Sequence, residues 1–90
     1  MLWLVGNMKL YKFQKDLCPG CNTISAILKT IQLPEDIELV VVDVMKQENK
    51  HYLSEYGITS VPVLMFENGK RLIGATNKNK VVEFINGMGG

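Results

Sequence analysis

The fold is decided by residues 8–32, which read MKLYKFQKDLCPGCNTISAILKTIQ. The first seven of these residues are rich in apolar side chains over a length typical of a buried strand, so a strand is predicted over residues 8–14. The second half predicts a helix over residues 19–32, because large apolar residues recur three or four positions apart and therefore share one helical face. These residues are Ile24, Ile27, Leu28 and Ile31.

The two cysteines of the chain stand at the junction of this strand and helix. Cys18 and Cys21 enclose only Pro19 and Gly20, so one sulfur can attack a foreign disulfide while the second lies one helical turn behind it. A helix start favours the thiolate through unpaired N–H groups and the positive end of the dipole. Proline suits the first helical position and glycine keeps the approach open. We expect Cys18 to attack and Cys21 to resolve, with Lys15 adding a nearby positive charge.

The same spacing also occurs in metal sites, and this alternative has to be weighed. A structural zinc site takes four protein ligands, whereas the chain offers two cysteines and the single histidine His51. We therefore expect no metal and no cofactor. An iron–sulfur cluster shared by two chains is a minor alternative, and His51 is expected to be a solvated surface residue.

Five further elements are predicted downstream. They are a strand over residues 37–42, a helix over 47–56, strands over 61–67 and 70–74, and a helix over 78–85. The β-branched run in the first of these is typical of a strand covered on both faces. Asn68-Gly69 favours a two-residue hairpin turn with positive φ at both positions. The predicted order is β-α-β-α-β-β-α, an α/β fold.

A proline stands at the start of the third strand, in Thr59-Ser60-Val61-Pro62. Its missing N–H donor is tolerated at the first position of a strand. Together with the cysteine pair upstream, this position favours a functional proline whose peptide bond is cis. A cis-proline is uncommon and usually has a purpose.

The composition bounds the function class. The chain has 90 residues, of which 47% are hydrophobic and 21% charged, with a formal net charge of +1. This fits one globular domain and gives no field that would attract nucleic acid or an anionic membrane. Two cysteines are too few for a secreted disulfide scaffold, so we expect a cytoplasmic protein. The predicted domain covers residues 8–87, with an extension over 1–7 and a flexible tail over 88–90.

Taken in order, four motifs resemble those of the thioredoxin/glutaredoxin superfamily: Cys18-Pro19-Gly20-Cys21, Thr59-Ser60-Val61-Pro62, Asn68-Gly69-Lys70 and Ile73-Gly74-Ala75. The resemblance implies a thioredoxin-like fold, a four-stranded mixed sheet flanked by helices. It also implies that Cys18 attacks, that Cys21 resolves and that Pro62 lies against them as a cis-proline. Substrate would then bind beside Pro19 and Gly20 and pair with the backbone of Val61 by β-strand addition.

The chain looks most similar to the short, glutaredoxin-sized thioredoxins, with two departures. Leu17 replaces the tryptophan that thioredoxins usually carry before the first cysteine. Lys12 replaces their buried acid, and such a lysine either lies near the thiols, where it would tune the thiolate, or extends to solvent.

The resemblance implies a monomeric enzyme that reduces protein disulfides and is itself recharged by a flavin-dependent thioredoxin reductase. Two alternatives stay open. One is a glutathione-dependent glutaredoxin, and the other is a non-catalytic module that binds a partner protein through the surface of Val61 and Pro62.

Overall fold

Residues 8–14, the first part of the stretch quoted above, form a central strand of a mixed sheet. The computed structural model describes residues 8–87, so the expectations for residues 1–7 and 88–90 fall outside the described residues. The elements in chain order are β1 (Met8–Gln14), α1 (Pro19–Thr30), β2 (Ile37–Asp43), α2 (Lys50–Tyr56), β3 (Val63–Phe66), β4 (Arg71–Ile73) and α3 (Lys78–Asn86), with a single 3₁₀ turn (Gln47–Asn49) before α2. The predicted order of elements is confirmed.

The strands lie in the order β2-β1-β3-β4. β1 pairs in parallel with β2 and antiparallel with β3, and β4 is antiparallel to β3. The carboxyl ends of β1, β2 and β4 therefore meet the amino end of β3 at one edge of the sheet. We call this edge, which is formed by strand ends and not by an outer strand, the site edge. The Cys18 loop and Pro62 emerge from it.

Alternation along the strands sends side chains to two separate cores. On one face α1 and α3 pack over a cluster that includes Leu10, Ile24, Leu64 and Val81. On the other face α2 covers a cluster built around Phe13, Val42, Ile58 and Met65, with partly buried tyrosines against it. Both faces of β3 are covered, and all four of its residues are buried.

The β-branched strand packs into both cores, as predicted. β2 lies at the edge of the sheet and pairs only with β1, and Val41 is 52% exposed. Ile37 and Val42 are buried on opposite faces of the strand, so each face is covered in part. β-Branched residues favour the extended backbone wherever the strand lies in the sheet.

The prediction for the hairpin turn was wrong in detail. Gly69 has a φ of +97°, but Asn68 does not adopt a positive φ. The Gly69 N–H donates to the carbonyl of Phe66 at 2.8 Å, and the Phe66 N–H donates to the carbonyl of Lys70 at 2.8 Å. This is the three-residue loop in which a tight turn is followed by one left-handed glycine.

The helices end for local reasons. α1 stops at Thr30, two residues before the predicted limit, because Ile31 already has extended dihedral angles. The predicted second helix begins with the 3₁₀ turn and ends at Gly57, whose φ of 64° is the left-handed conformation that glycine adopts at low cost. α3 begins at the N-cap Asn77, whose side chain accepts a hydrogen bond from the backbone N–H of Lys80.

Candidate active site

The two cysteines are joined by a disulfide across the first turn of α1. Cys18 is the N-cap residue with extended dihedral angles, and Pro19 opens the helix. The Cys18 Sγ accepts a hydrogen bond from the backbone N–H of Cys21 at 3.1 Å. The sulfur therefore occupies the position in which a capping side chain satisfies an unpaired N–H group of the first turn. Negative charge that develops on this sulfur is stabilised there.

The two sulfur-bearing residues differ in access. Cys18 is 7% exposed and Cys21 is 2% exposed, so the residue before the helix is the more accessible one, in the predicted order. The exposure of Cys18 is small in this oxidised state. A molecule in solution can therefore reach the edge of the Cys18 sulfur, with Cys21 behind it.

Pro62 lies against the first turn of α1. The Val61–Pro62 peptide bond is cis, as predicted. A Cβ placed on Gly20 would meet the Pro62 Cδ at 3.1 Å and the Ala75 Cβ at 3.3 Å. Glycine therefore lets the helix approach the proline ring more closely than alanine allows, a role that the sequence-based interpretation of Gly20 missed. The Pro62 carbonyl accepts from the Gly74 N–H at 2.9 Å, which ties this loop to the end of β4.

The backbone of Val61 has no hydrogen-bond partner among residues 8–87. The residue is only partly buried, and it lies just before β3, where the antiparallel pairing with β1 has ended at Phe13 and Val63. An unpaired backbone segment at a sheet end is the kind of surface to which an extended peptide adds.

A groove of about 200 Å³ runs beside this segment. It contains the ammonium-bearing Lys15, the hydroxyl residues Thr59 and Ser60, and an apolar wall that includes Met45 and Val61. The predicted positive charge of Lys15 thus lies in the same groove as Val61. Met45 was missed by the sequence analysis, because its position at the groove depends on the pairing of β2 with β1.

Three exposed apolar side chains lie at the site edge. Leu17 is 98% exposed, Met45 61% and Ile73 62%. Leu17 also has a φ of +56°, and it is the one residue other than glycine with positive φ within residues 8–87. The conformation turns its side chain out into solvent directly before Cys18. Nothing in the sequence signals it, since leucine adopts this region rarely.

Lys12 does not extend to solvent. The residue is 1% exposed, and its Nζ donates a hydrogen bond to the Oε1 of Gln14. Burial lowers the pKa of the Lys12 ammonium, because the charged form loses its hydration. Of the two positions that the sequence allowed for this side chain, burial excludes the one in solvent, and a position near the thiols stays a prediction.

His51, which the sequence analysis considered, and two aromatic residues of β1 occupy the following positions. His51 is exposed and its ring lies 4.2 Å from that of Tyr52. Phe13 is fully buried. Burial, with a smaller effect from Tyr52, raises the pKa of Tyr11. Within residues 8–87, no three histidine, cysteine or acidic side chains gather into a metal-binding group. No helix in that range has the length and apolar content needed to cross a membrane.

The sequence matches one family model over residues 9–86, that of the Glutaredoxin-like domain (DUF836). Among curated proteins, a thioredoxin of Methanocaldococcus jannaschii is 29% identical over 83 residues, covering 90% of this chain and 95% of the relative. A thioredoxin of Rickettsia bellii is 31% identical over 81 residues, covering 86% of this chain and 77% of the relative.

Solved structures show the same fold. A mutant thioredoxin from Halobacterium salinarum superposes with a TM-score of 0.73 at 24% identity, covering 90% of this chain and 74% of the other. The protein Trxlp from Edwardsiella tarda superposes with a TM-score of 0.76 at 23% identity, covering 89% and 82% of the two chains. Both confirm the predicted sheet with its flanking helices.

Proposed function

Since this chain belongs to the glutaredoxin-like family, within the thioredoxin/glutaredoxin superfamily of thiol–disulfide oxidoreductases, we propose that it reduces protein disulfides through a mixed disulfide on Cys18. One observation carries the proposal. The Cys18 Sγ is the N-cap acceptor of α1 and is already bonded to Cys21. The sulfur at the helix start is thus within reach of both an incoming disulfide and the second cysteine.

The reaction begins from the reduced pair. The Cys18 thiolate attacks one sulfur of the substrate disulfide, a new S–S bond forms, and the other substrate sulfur leaves as a thiolate that takes a proton. Cys21 then loses its proton and attacks the Cys18 Sγ. The mixed disulfide breaks, the second substrate thiol departs, and the protein is left with the Cys18–Cys21 disulfide seen here. Two electrons have passed to the substrate.

The surroundings of the disulfide support a peptide substrate. The unpaired backbone of Val61 is suited to pair with the extended segment that flanks a substrate cysteine. Pro19 is exposed and Gly20 partly so, which leaves the approach to Cys18 over the helix start open. The substrates in this proposal are folded or partly folded proteins with an accessible disulfide.

The electron donor in this proposal is a flavin-dependent thioredoxin reductase, and the protein works as a cytoplasmic monomer. Support comes from the relatives, which are named thioredoxins. An exposed apolar rim that includes Leu17 offers a docking surface for such a protein. The donor is tested directly by following NADPH oxidation by a purified flavin-dependent thioredoxin reductase with the oxidised wild-type protein as electron acceptor; no NADPH consumption would contradict this donor.

The mechanism is tested with insulin as substrate and dithiothreitol as electron source. We expect the wild-type protein to accelerate precipitation of the insulin B chain and Cys18→Ser to abolish the acceleration. Cys21→Ser is the matched variant, because it retains the attacking sulfur and should accumulate a covalent complex with insulin that dithiothreitol releases. Full activity in Cys18→Ser, or a trapped complex that forms equally well in it, contradicts the proposed roles.

A second candidate function is glutathione-dependent reduction, which Lys15 favours. Its ammonium lines the groove beside Val61, where it could pair with a carboxylate of the tripeptide. The two functions are distinguished by the electron source that each requires. Turnover with glutathione, glutathione reductase and NADPH, with none from a thioredoxin reductase, supports the second function and removes the first.

A further inference from the structure

Lys12 is a buried ionisable group that the proposed mechanism leaves unused. It is 1% exposed, and lysine is among the residues that are almost never fully buried unless paired. Among residues 8–87, its Nζ has one hydrogen-bond partner, the neutral amide oxygen of Gln14. No carboxylate of this range lies within ion-pair distance, so the ammonium form has no compensating charge in the oxidised protein.

The position of Lys12 connects it to the disulfide. It lines a cavity of about 200 Å³ together with Ser25, Leu28 and Lys29, so it lies beneath α1. Ser25 is one turn after Cys21, about 6 Å along the helix axis. Gln14, which accepts the hydrogen bond from Lys12, ends β1 at the site edge. The Lys12 side chain therefore lies between the sheet and α1, and its hydrogen-bond partner stands at the strand end from which the cysteine loop emerges.

The other groups that face Lys12 supply no negative charge. From α1 the neighbouring ionisable side chain is Lys29, which is exposed. Its partners across the sheet are Val41 of β2 and Leu64 of β3, both apolar. Asp43 pairs with Gln14 farther along the sheet, and its Oδ1 already accepts from the Met45 N–H at 2.9 Å.

No carboxylate within residues 8–87 pairs with the Lys12 Nζ, and at the sulfur pair, at the start of α1, negative charge appears only on reduction. In the oxidised state the disulfide is neutral, and burial alone acts on the lysine and lowers its pKa. In the reduced state a thiolate forms at the start of α1. An anion and an ammonium that share a poorly hydrated region stabilise one another more strongly than they would in water.

We propose that Lys12 is a redox-linked proton site, which takes up a proton when the Cys18–Cys21 disulfide is reduced and stabilises the Cys18 thiolate through its charge. A dithiol donor supplies two electrons and two protons as it is oxidised to its own disulfide. The S–S bond breaks, one proton goes to Cys21 and the other to the Lys12 amine, and Cys18 remains a thiolate. Charge is conserved, because the new ammonium balances the new thiolate.

The inference rests on the proposed function only in requiring that the pair be reduced and reoxidised. Lys12 touches no substrate in it and acts as a positioning residue through its charge on Cys18. Reduction of the pair by dithiothreitol can be followed without any protein substrate, so the two proposals fail separately. A disulfide that dithiothreitol cannot open would remove the function, whereas a reducible pair that ignores Lys12 would remove only this inference.

The first experiment uses the wild-type protein. The side-chain resonances of lysine, labelled with ¹³C and ¹⁵N, are followed from pH 5 to 11 in the oxidised and dithiothreitol-reduced states. We expect Lys12 to titrate below the other lysines in the oxidised protein and to shift upward by about one pH unit or more on reduction, the size expected for a nearby opposite charge. An unchanged Lys12 titration in the two states overturns the proposal.

The second experiment measures the Cys18 thiol pKa from the pH dependence of its alkylation by iodoacetamide. Lys12→Met leaves an unbranched side chain that is one atom shorter and removes the charge. We expect it to raise the Cys18 pKa by about one unit. Lys29→Met is the control, since that lysine lines the same cavity but is exposed, and it should leave the value unchanged. Equal Cys18 pKa values in wild type and Lys12→Met contradict the inference; if that variant does not fold, Lys12→Gln takes its place.

Discussion

At the scale of single residues, Leu17 combines a left-handed backbone with an exposed apolar side chain. A left-handed conformation costs most residues about 1–2 kcal/mol, and asparagine tolerates it best after glycine. Because 98% of Leu17 is exposed, the fold gains little from its side chain. The residue next to Cys18 is thus maintained at some cost to stability, which is understandable if it contacts the protein that is being reduced.

We predict that Leu17→Asn separates protein substrates from small ones. The KM for insulin should rise about fivefold, because burying part of a leucine side chain contributes about 1 kcal/mol. The rate with a small aromatic disulfide should not change, and the melting temperature should stay the same or rise. Steady-state kinetics with both substrates tests this, with Val41→Asn as a control at an exposed apolar residue on the β2 edge. Equal insulin kinetics for Leu17→Asn and wild type would show that Leu17 does not contribute to docking.

At the level of single residues, local features of the site could be predicted from the sequence, and contacts between distant parts of the chain could not. The spacing of Cys18 and Cys21 and the place of Pro62 before a strand are local features, so the sequence contains them. The φ of Leu17 and the contact of Gly20 with Pro62 are set by parts of the chain far apart in sequence. No local pattern reports such contacts.

At the scale of elements, α3 depends on its first residue. The Asn77 Oδ1 accepts from the Lys80 N–H at 2.9 Å, and removing such a cap typically costs about 1 kcal/mol. We predict that Asn77→Ala lowers the free energy of unfolding by about this amount. Asn79→Ala, two residues inside the same helix and exposed, should be neutral or slightly stabilising, because alanine is the better helix former. Urea denaturation of wild type and both variants measures the free energies of unfolding. Equal values for Asn77→Ala and wild type would show that the cap does not stabilise the protein.

Element types and most boundaries followed from the sequence because apolar periodicity and breaking residues are local. The position of each strand in the sheet did not follow. β2 packs on both faces as expected, but its place at the edge of the sheet could not be predicted, since β-branched residues stiffen an extended chain in either place. The prediction of the hairpin turn failed because the turn depends on a long-range contact. Glu67 bonds with Lys9 of β1 through both its backbone N–H and its carboxylate, and this long-range pairing sets where the turn begins.

At the scale of the whole molecule, Lys12 links stability to pH. Its pKa is lowered in the folded, oxidised protein, so between that value and its ordinary value of 10.5 the unfolded chain binds more protons. Stability in this window should rise with pH. We predict a slope contribution of up to about 1.4 kcal/mol per pH unit that Lys12→Met abolishes.

Thermal or urea unfolding of the oxidised protein between pH 6 and 9.5 measures this contribution. Lys12→Met should be more stable than wild type at pH 7, and the difference should shrink as pH rises. The upper limit avoids Tyr11, whose raised pKa makes the folded state lose stability above pH 10. A gap between the two proteins that stays constant over the whole range would rule out the titration of Lys12 as its origin.

The loop that joins β3 to β4 lies at the end of the sheet opposite the disulfide, because both strands run antiparallel to their neighbours. Asn68 is exposed there and marks the natural point for a tether. Linked to an electrode or a bead through an unnatural azide at this position, every molecule would present its sulfur pair outward. Such an oriented layer would allow direct voltammetry of the couple without adding a third thiol that could scramble it.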